Sequence, residues 1–108
     1  MCPEGWHLPN GSEWYTLYSA MGSSPYAMQA KGYANWSSAT DAYGFSALPA
    51  GSYVAVAIGN VGSYAIFWSA TEYNNGYAYN WYLHASSADL DSDGKNHGFA
   101  VRCVKDSP

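Results

Sequence analysis

The sequence predicts an α+β domain: two N-terminal helices followed by a small, mostly antiparallel sheet. Three observations carry this. An apolar stripe at helical spacing, with start and stop signals, lies near the N-terminus. From residue 45 onward, short β-rich runs alternate with Gly, Pro and Asn turn signals, enough for five or six strands. No strand–helix–strand repeat and no internal period of roughly 20–50 residues occurs.

Gly5-Trp6-His7-Leu8-Pro9 reads as a short extended segment stopped by Pro9. Asn10 then reads as a helix N-cap with Glu13 reaching back, as in a capping box. Trp14, Leu17, Tyr18 and Met21 follow on one helical face, and Gly22 supplies the stop, so the first helix spans about residues 11–21. Pro25 opens a second helix running to about Lys31 and ended by Gly32. Residues 33–44 read as a loop. Strands follow at Phe45–Leu48, at Tyr53–Ile58 before the turn signal Gly59-Asn60-Val61-Gly62, and at Tyr64–Thr71, whose lack of alternation suggests burial on both faces. Asn74-Asn75-Gly76 predicts a hairpin. Beyond it Tyr77, Tyr79, Trp81 and Leu83 share one strand face, with Asn80, Tyr82 and His84 on the other. Ser86–Leu90 reads as a strand, Asp91–His97 as a polar turn centred on Asp93-Gly94, and Phe99–Val104 as the last strand. Trp14 and Trp68 are the expected core anchors.

The chain has 108 residues and a net charge of −4; charged residues are 11% and aromatic residues 18%. Disordered chains are charge-rich and aromatic-poor, so a packed domain is expected. The acidic balance excludes nucleic acid as a partner, which needs a basic footprint. The longest apolar run, Val54–Ile58, is far short of the ~20 residues that span a bilayer, so direct membrane insertion is excluded. Cys2 and Cys103 lie at the chain ends; in an exported protein they could close one long loop, and otherwise they are two buried free thiols. No secretory signal is present, and the abrupt Met1-Cys2-Pro3 start reads as a single domain, residues 1–108, cut from a larger protein.

Four phrases in order resemble the Fibrobacter succinogenes major paralogous domain family of bacterial exported proteins. They are Cys2-Pro3-Glu4-Gly5-Trp6-His7-Leu8-Pro9, Asp41 through Gly51, Phe67-Trp68-Ser69-Ala70-Thr71-Glu72, and Gly98 through Asp106. The resemblance implies a C-type-lectin-like fold in which the terminal strands pair, bringing Cys2 and Cys103 together as a disulfide. It also implies an extracellular or cell-surface protein, often lipid-anchored. The apolar Val54–Ile58 run and the Asp89–Asp93 acid cluster depart from the family pattern.

Enzyme chemistry finds no footing. The two cysteines are better used as a structural pair, and His7, His84 and His97 lack metal-ligand spacing. His7 reads as a hydrogen-bonded structural residue and Arg102 as an inward or sheet-face side chain pairing with a carboxylate. Asp89-Leu90-Asp91-Ser92-Asp93-Gly94 matches the start of a calcium loop, with Asp89, Asp91 and Asp93 as ligands. The bidentate Glu that closes such a loop is replaced by Ala100, so this is half a motif for calcium; the alternative is a solvated hairpin turn. The sugar-binding triplets of calcium-dependent lectins are absent.

The strongest functional signal is the Tyr73–His97 segment, where 16 of 25 residues are Tyr, Asn, Ser, Asp or His. Tyr offers contact area at small entropy cost, and Asn and Ser offer adaptable hydrogen bonds. Tyr73, Asn75, Tyr77, Asn80, Tyr82 and His84 are therefore the expected ligand-binding residues of a non-catalytic recognition domain for a protein or glycan. The C-type-lectin-like fold adds the expectation of diversification by a retroelement, since Asn codons mutated at adenine reach Tyr, Asp, His and Ser. The alternative function is a spacer module of a surface lipoprotein, in which the same aromatics only pack.

Overall fold

A computed structural model describes residues 2–54, 57–59 and 62–106. Among these residues ten elements follow one another: β1 (Trp6–His7), α1 (Gly11–Ala20), α2 (Pro25–Met28), a 3-10 turn (Ala34–Trp36), β2 (Ser52–Val54), β3 (Ala57–Gly59), β4 (Ala65–Asn74), β5 (Tyr77–Leu83), β6 (Ala88–Gly94) and β7 (Val104–Lys105). The strands form three sheets, β1–β7, β2–β3 and β4–β5–β6, and every pairing within them is antiparallel. Among the described residues no helix is long and apolar enough to cross a membrane.

This arrangement corrects the expected fold class. The domain is a small α+β unit with two short helices and mostly antiparallel strands, but the strands divide among three separate small sheets. The C-type-lectin-like assignment is withdrawn, and the retroelement expectation that rested on it goes with it.

α1 forms where the local signals placed it. The Asn10 side chain accepts from the Glu13 backbone N–H at 2.8 Å, and the Glu13 carboxylate accepts from the Asn10 N–H at 3.0 Å. The helix lays Trp14 and Met21 into the core, with Leu17 and Tyr18 packed against it. Gly22, at φ 76, takes the left-handed conformation that ends it. α2 is shorter than expected, because Gln29 leaves the helix to bridge Ala47 in parallel. That bridge and the 3-10 turn replace the expected Phe45–Leu48 strand and the loop over 33–44. The single strand expected over Tyr53–Ile58 is two strands paired with each other; Ala55 and Val56, and the Asn60-Val61 centre of the turn signal, lie outside the described residues.

The core is aromatic. Trp14 stacks on Trp81 at 5.9 Å and on Phe67 at 5.4 Å. Trp36 is also buried, its indole N–H donating to the Ser63 carbonyl at 3.0 Å. Trp68 is not a core anchor. Strand alternation turns it away from Phe67, to the far face of β4, where it meets Phe99 at 4.5 Å. The Tyr64–Thr71 run is therefore asymmetric: Ala65, Phe67 and Ser69 are buried, and Ile66 and Trp68 are half-buried.

The two chain ends are clasped. β1 pairs with β7, and Cys2 is bonded to Cys103. His7 joins the ends a third time, with Nδ1 2.6 Å from Asp106 Oδ1 and Nε2 2.7 Å from Glu13 Oε2. The Glu13 hydrogen bond, then that of Asp106, holds His7 above its ordinary value of 6.5. The Asn10 N–H, then His7, holds Glu13 below its ordinary 4.5. The His7 contribution is complete below pH 6.5 and is lost as pH rises through the raised value. The Glu13 contribution is complete above pH 4.5 and is lost as pH falls through the lowered value. Thermal unfolding across pH should show His7→Gln less stable than the parent near pH 5–6, with the gap closing in mild alkali. A gap that is constant across pH would refute this linkage.

Candidate functional site

β4, β5 and β6 present one face to the core and the other outward. Register fixes the outer rows: Ile66 lies opposite Tyr82, and Trp68 opposite Asn80. On the other side, Tyr82 lies opposite Asp89, Asn80 opposite Asp91 and Ala78 opposite Asp93. The outer face is not flat. The chain leaves β6 at one edge of the sheet and next bonds the opposite edge of β4, where Trp68 N–H donates to the Ala100 carbonyl at 3.0 Å. The Ala100 N–H returns to Ile66 at 2.9 Å. Residues 95–99 make this crossing, pinned at its start by the Lys95–Glu72 ion pair and by Lys95 N–H donating to Gly76 at 2.9 Å.

The crossing and the outer face enclose a cleft of about 600 Å³. Tyr64, Ile66, Tyr82 and Phe99 supply its apolar surface; Asn80, Ser87, Asp91, Asp93 and His97 supply its polar groups. This mixture of apolar walls and a few convergent polar groups is the usual character of a ligand pocket. Asn80 is 1% exposed and donates from its side-chain amide to Asp93 Oδ2 at 2.7 Å. The other carboxylate oxygen, Oδ1, faces His97 Nδ1 at 3.8 Å, too far for a hydrogen bond. His97 Nδ1 is buried with no hydrogen-bond partner among the described residues.

The expected binding residues divide into two groups. Asn80 and Tyr82 line the cleft, and His84 stacks at 4.5 Å on Tyr64, which lines it too. Tyr73, Asn75 and Tyr77 sit at the exposed hairpin end, outside the cleft lining, where Tyr73 meets Tyr79 edge to face at 5.6 Å. The hairpin forms as expected, with Asn74 opposite Tyr77 around Asn75-Gly76. Asn80, expected to stand clear of the sheet, is instead buried, its side-chain amide held by Asp93. Tyr64, Ile66 and Phe99, outside the Tyr73–His97 segment, were not anticipated as part of any site, and His97 was not singled out within it. Only the register and the crossing reveal them, and both are long-range features.

The acid cluster is also rearranged. Asp91–Gly94 is strand, not turn; pairing with β5 holds it extended, and the chain turns at Lys95-Asn96. Asp91 and Asp93 line the cleft, whereas Asp89 accepts the Tyr15 hydroxyl from α1, which raises the Tyr15 phenol above its ordinary 10.0. The half-motif for calcium is thus drawn out along a strand, where a calcium loop needs its oxygens to converge around a sharp turn. Among the described residues no group of three His, Cys, Asp or Glu side chains is placed to hold a metal ion. Arg102 finds no carboxylate among the described residues. It donates to the Phe45 carbonyl at 3.0 Å and lies 4.1 Å over the Phe45 ring, a cation–π contact.

Neither a curated protein nor a solved structure matches the chain. Residues 1–105 match the family model of the Fibrobacter succinogenes major domain. With nearly the whole length matched, the chain belongs to the Fibrobacter succinogenes major domain family.

Proposed function

We propose that the domain is a non-catalytic recognition module of an extracellular or cell-surface protein, and that the outer-face cleft binds a glycan. The observation that carries this is the cleft lining: Tyr64, Tyr82 and Phe99 beside Asn80, Asp91, Asp93 and His97. Aromatic faces bury the apolar side of a sugar ring, and amide, carboxylate and imidazole groups meet its hydroxyls. Asp93 is held in place by Asn80, so part of the site is organised before any ligand arrives. The disulfide suits an oxidising compartment outside the cytoplasm.

A glycan panel tests this. Tyr82→Ala should weaken binding by about tenfold or more, the loss typical of a central aromatic contact. Tyr77→Ala, at the exposed hairpin end, should leave binding unchanged. Binding should survive a chelator, since the recognition chemistry belongs to side chains. If nothing on the panel binds at micromolar concentration, the domain is a spacer. If Tyr77→Ala abolishes binding and Tyr82→Ala does not, the hairpin end is the site.

A further inference from the structure

We propose that the cleft selects an amino sugar, its protonated amine seated between Asp91 and Asp93; this rests on the cleft being the recognition site. The first argument is charge. Asp91 and Asp93 line the cleft, and no Lys or Arg among the described residues lines it. The whole chain holds four Lys and Arg. Lys95 is paired with Glu72, Arg102 is on Phe45, and Lys31 and Lys105 line other hollows. The cleft therefore carries a negative field that favours a cation and opposes uronic or sulfated sugars.

Spacing is the second argument. Asp91 and Asp93 are alternate residues of one strand, so their Cα atoms are about 6.6 Å apart on the same face. An ammonium donates to a carboxylate over about 2.7–2.9 Å, so one nitrogen with three donors spans that gap. Asp93 Oδ1 is left for it, because Asn80 occupies Oδ2 and His97 stands beyond hydrogen-bond distance.

The remaining polar groups decide between a sugar and a lysine side chain. Ser87 and the imidazole edge of His97 line the cleft and add polar capacity that a bare alkyl ammonium would leave unused. A ring bearing an amine, hydroxyls and one apolar face uses both kinds of wall, and the flanking aromatic rings attract its cation.

Chitosan, chitin and cellulose oligomers of equal length test this by calorimetric titration, since they differ at one ring position: amine, acetamide or hydroxyl. Chitosan should bind about tenfold or more tightly than the other two, with an advantage that salt erodes. Asp91→Asn and Asp93→Asn should each remove most of that advantage. Asp91→Asn carries the test if Asp93→Asn disturbs Asn80, and melting curves verify folding of both. Equal affinity for all three oligomers, lost in Tyr82→Ala, overturns the amine inference while recognition at the cleft stands. A tetralysine peptide that binds where chitosan does not overturns the sugar assignment. Chitosan binding that survives Tyr82→Ala and both Asp variants overturns the cleft reading itself.

Discussion

Breaking the Cys2–Cys103 disulfide, by reduction or by Cys2→Ser with Cys103→Ser, is expected to cost about 4–5 kcal/mol, because it frees a loop of about 100 residues in the unfolded chain. The effect should be large relative to total stability, since a domain of this size has roughly 5–15 kcal/mol in hand. The β1–β7 ladder is only two residues long on each side, so it cannot hold the ends alone. Chemical denaturation of the oxidised protein and the double variant, each unfolding reversibly, gives the difference. A loss below about 1 kcal/mol, the scale of an ordinary point mutant, would mean that the clasp is redundant.

The second large effect is expected at Trp14. It is 1% exposed and lies between Trp81 and Phe67, so Trp14→Ala empties the centre of the aromatic core. Truncation of a buried Trp costs about 3–5 kcal/mol from lost burial and the cavity left behind. Trp14→Phe should be milder. It keeps a ring in the stack and removes an indole N–H that has no hydrogen-bond partner among the described residues. Trp68→Ala should cost less than Trp14→Ala, because Trp68 lies on the half-buried outer face. Denaturant midpoints of the three variants check the order, and a Trp68→Ala loss as large as that of Trp14→Ala would reverse the assignment of core and outer face.

What was legible in the residues was local. The Asn10–Glu13 capping box and the Asn75-Gly76 hairpin are decided within a few residues, so composition and spacing reveal them. The two faces of β5 were also legible, because alternation needs no partner: Trp81 and Leu83 are buried inside, and Asn80 and Tyr82 lie outward. Elements decided by distant partners were not legible. Asp91-Ser92-Asp93-Gly94 has turn composition, yet seven register pairs with β5 hold β6 in strand. Gln29 ends α2 early because it bridges Ala47 and donates to the His84 carbonyl at 2.7 Å, contacts far away in sequence. The cleft depends on residues 95–99 crossing the sheet, so its Tyr64 and Phe99 walls could not be foreseen from either segment alone. The family resemblance was right at the level of sequence; the fold drawn from it was not, since resemblance in phrases says little about how short strands group into sheets.

The central claim is that recognition occurs at the outer-face cleft, and NMR chemical-shift mapping tests it most directly. Chitosan and cellulose oligomers are titrated into the isotope-labelled domain. Shifts should concentrate on the Asn80 side-chain amide and on the backbone amides of Tyr82, Asp91, Asp93 and His97. Shifts confined to Tyr73, Asn75 and Tyr77, or no shifts at millimolar oligomer, would contradict it.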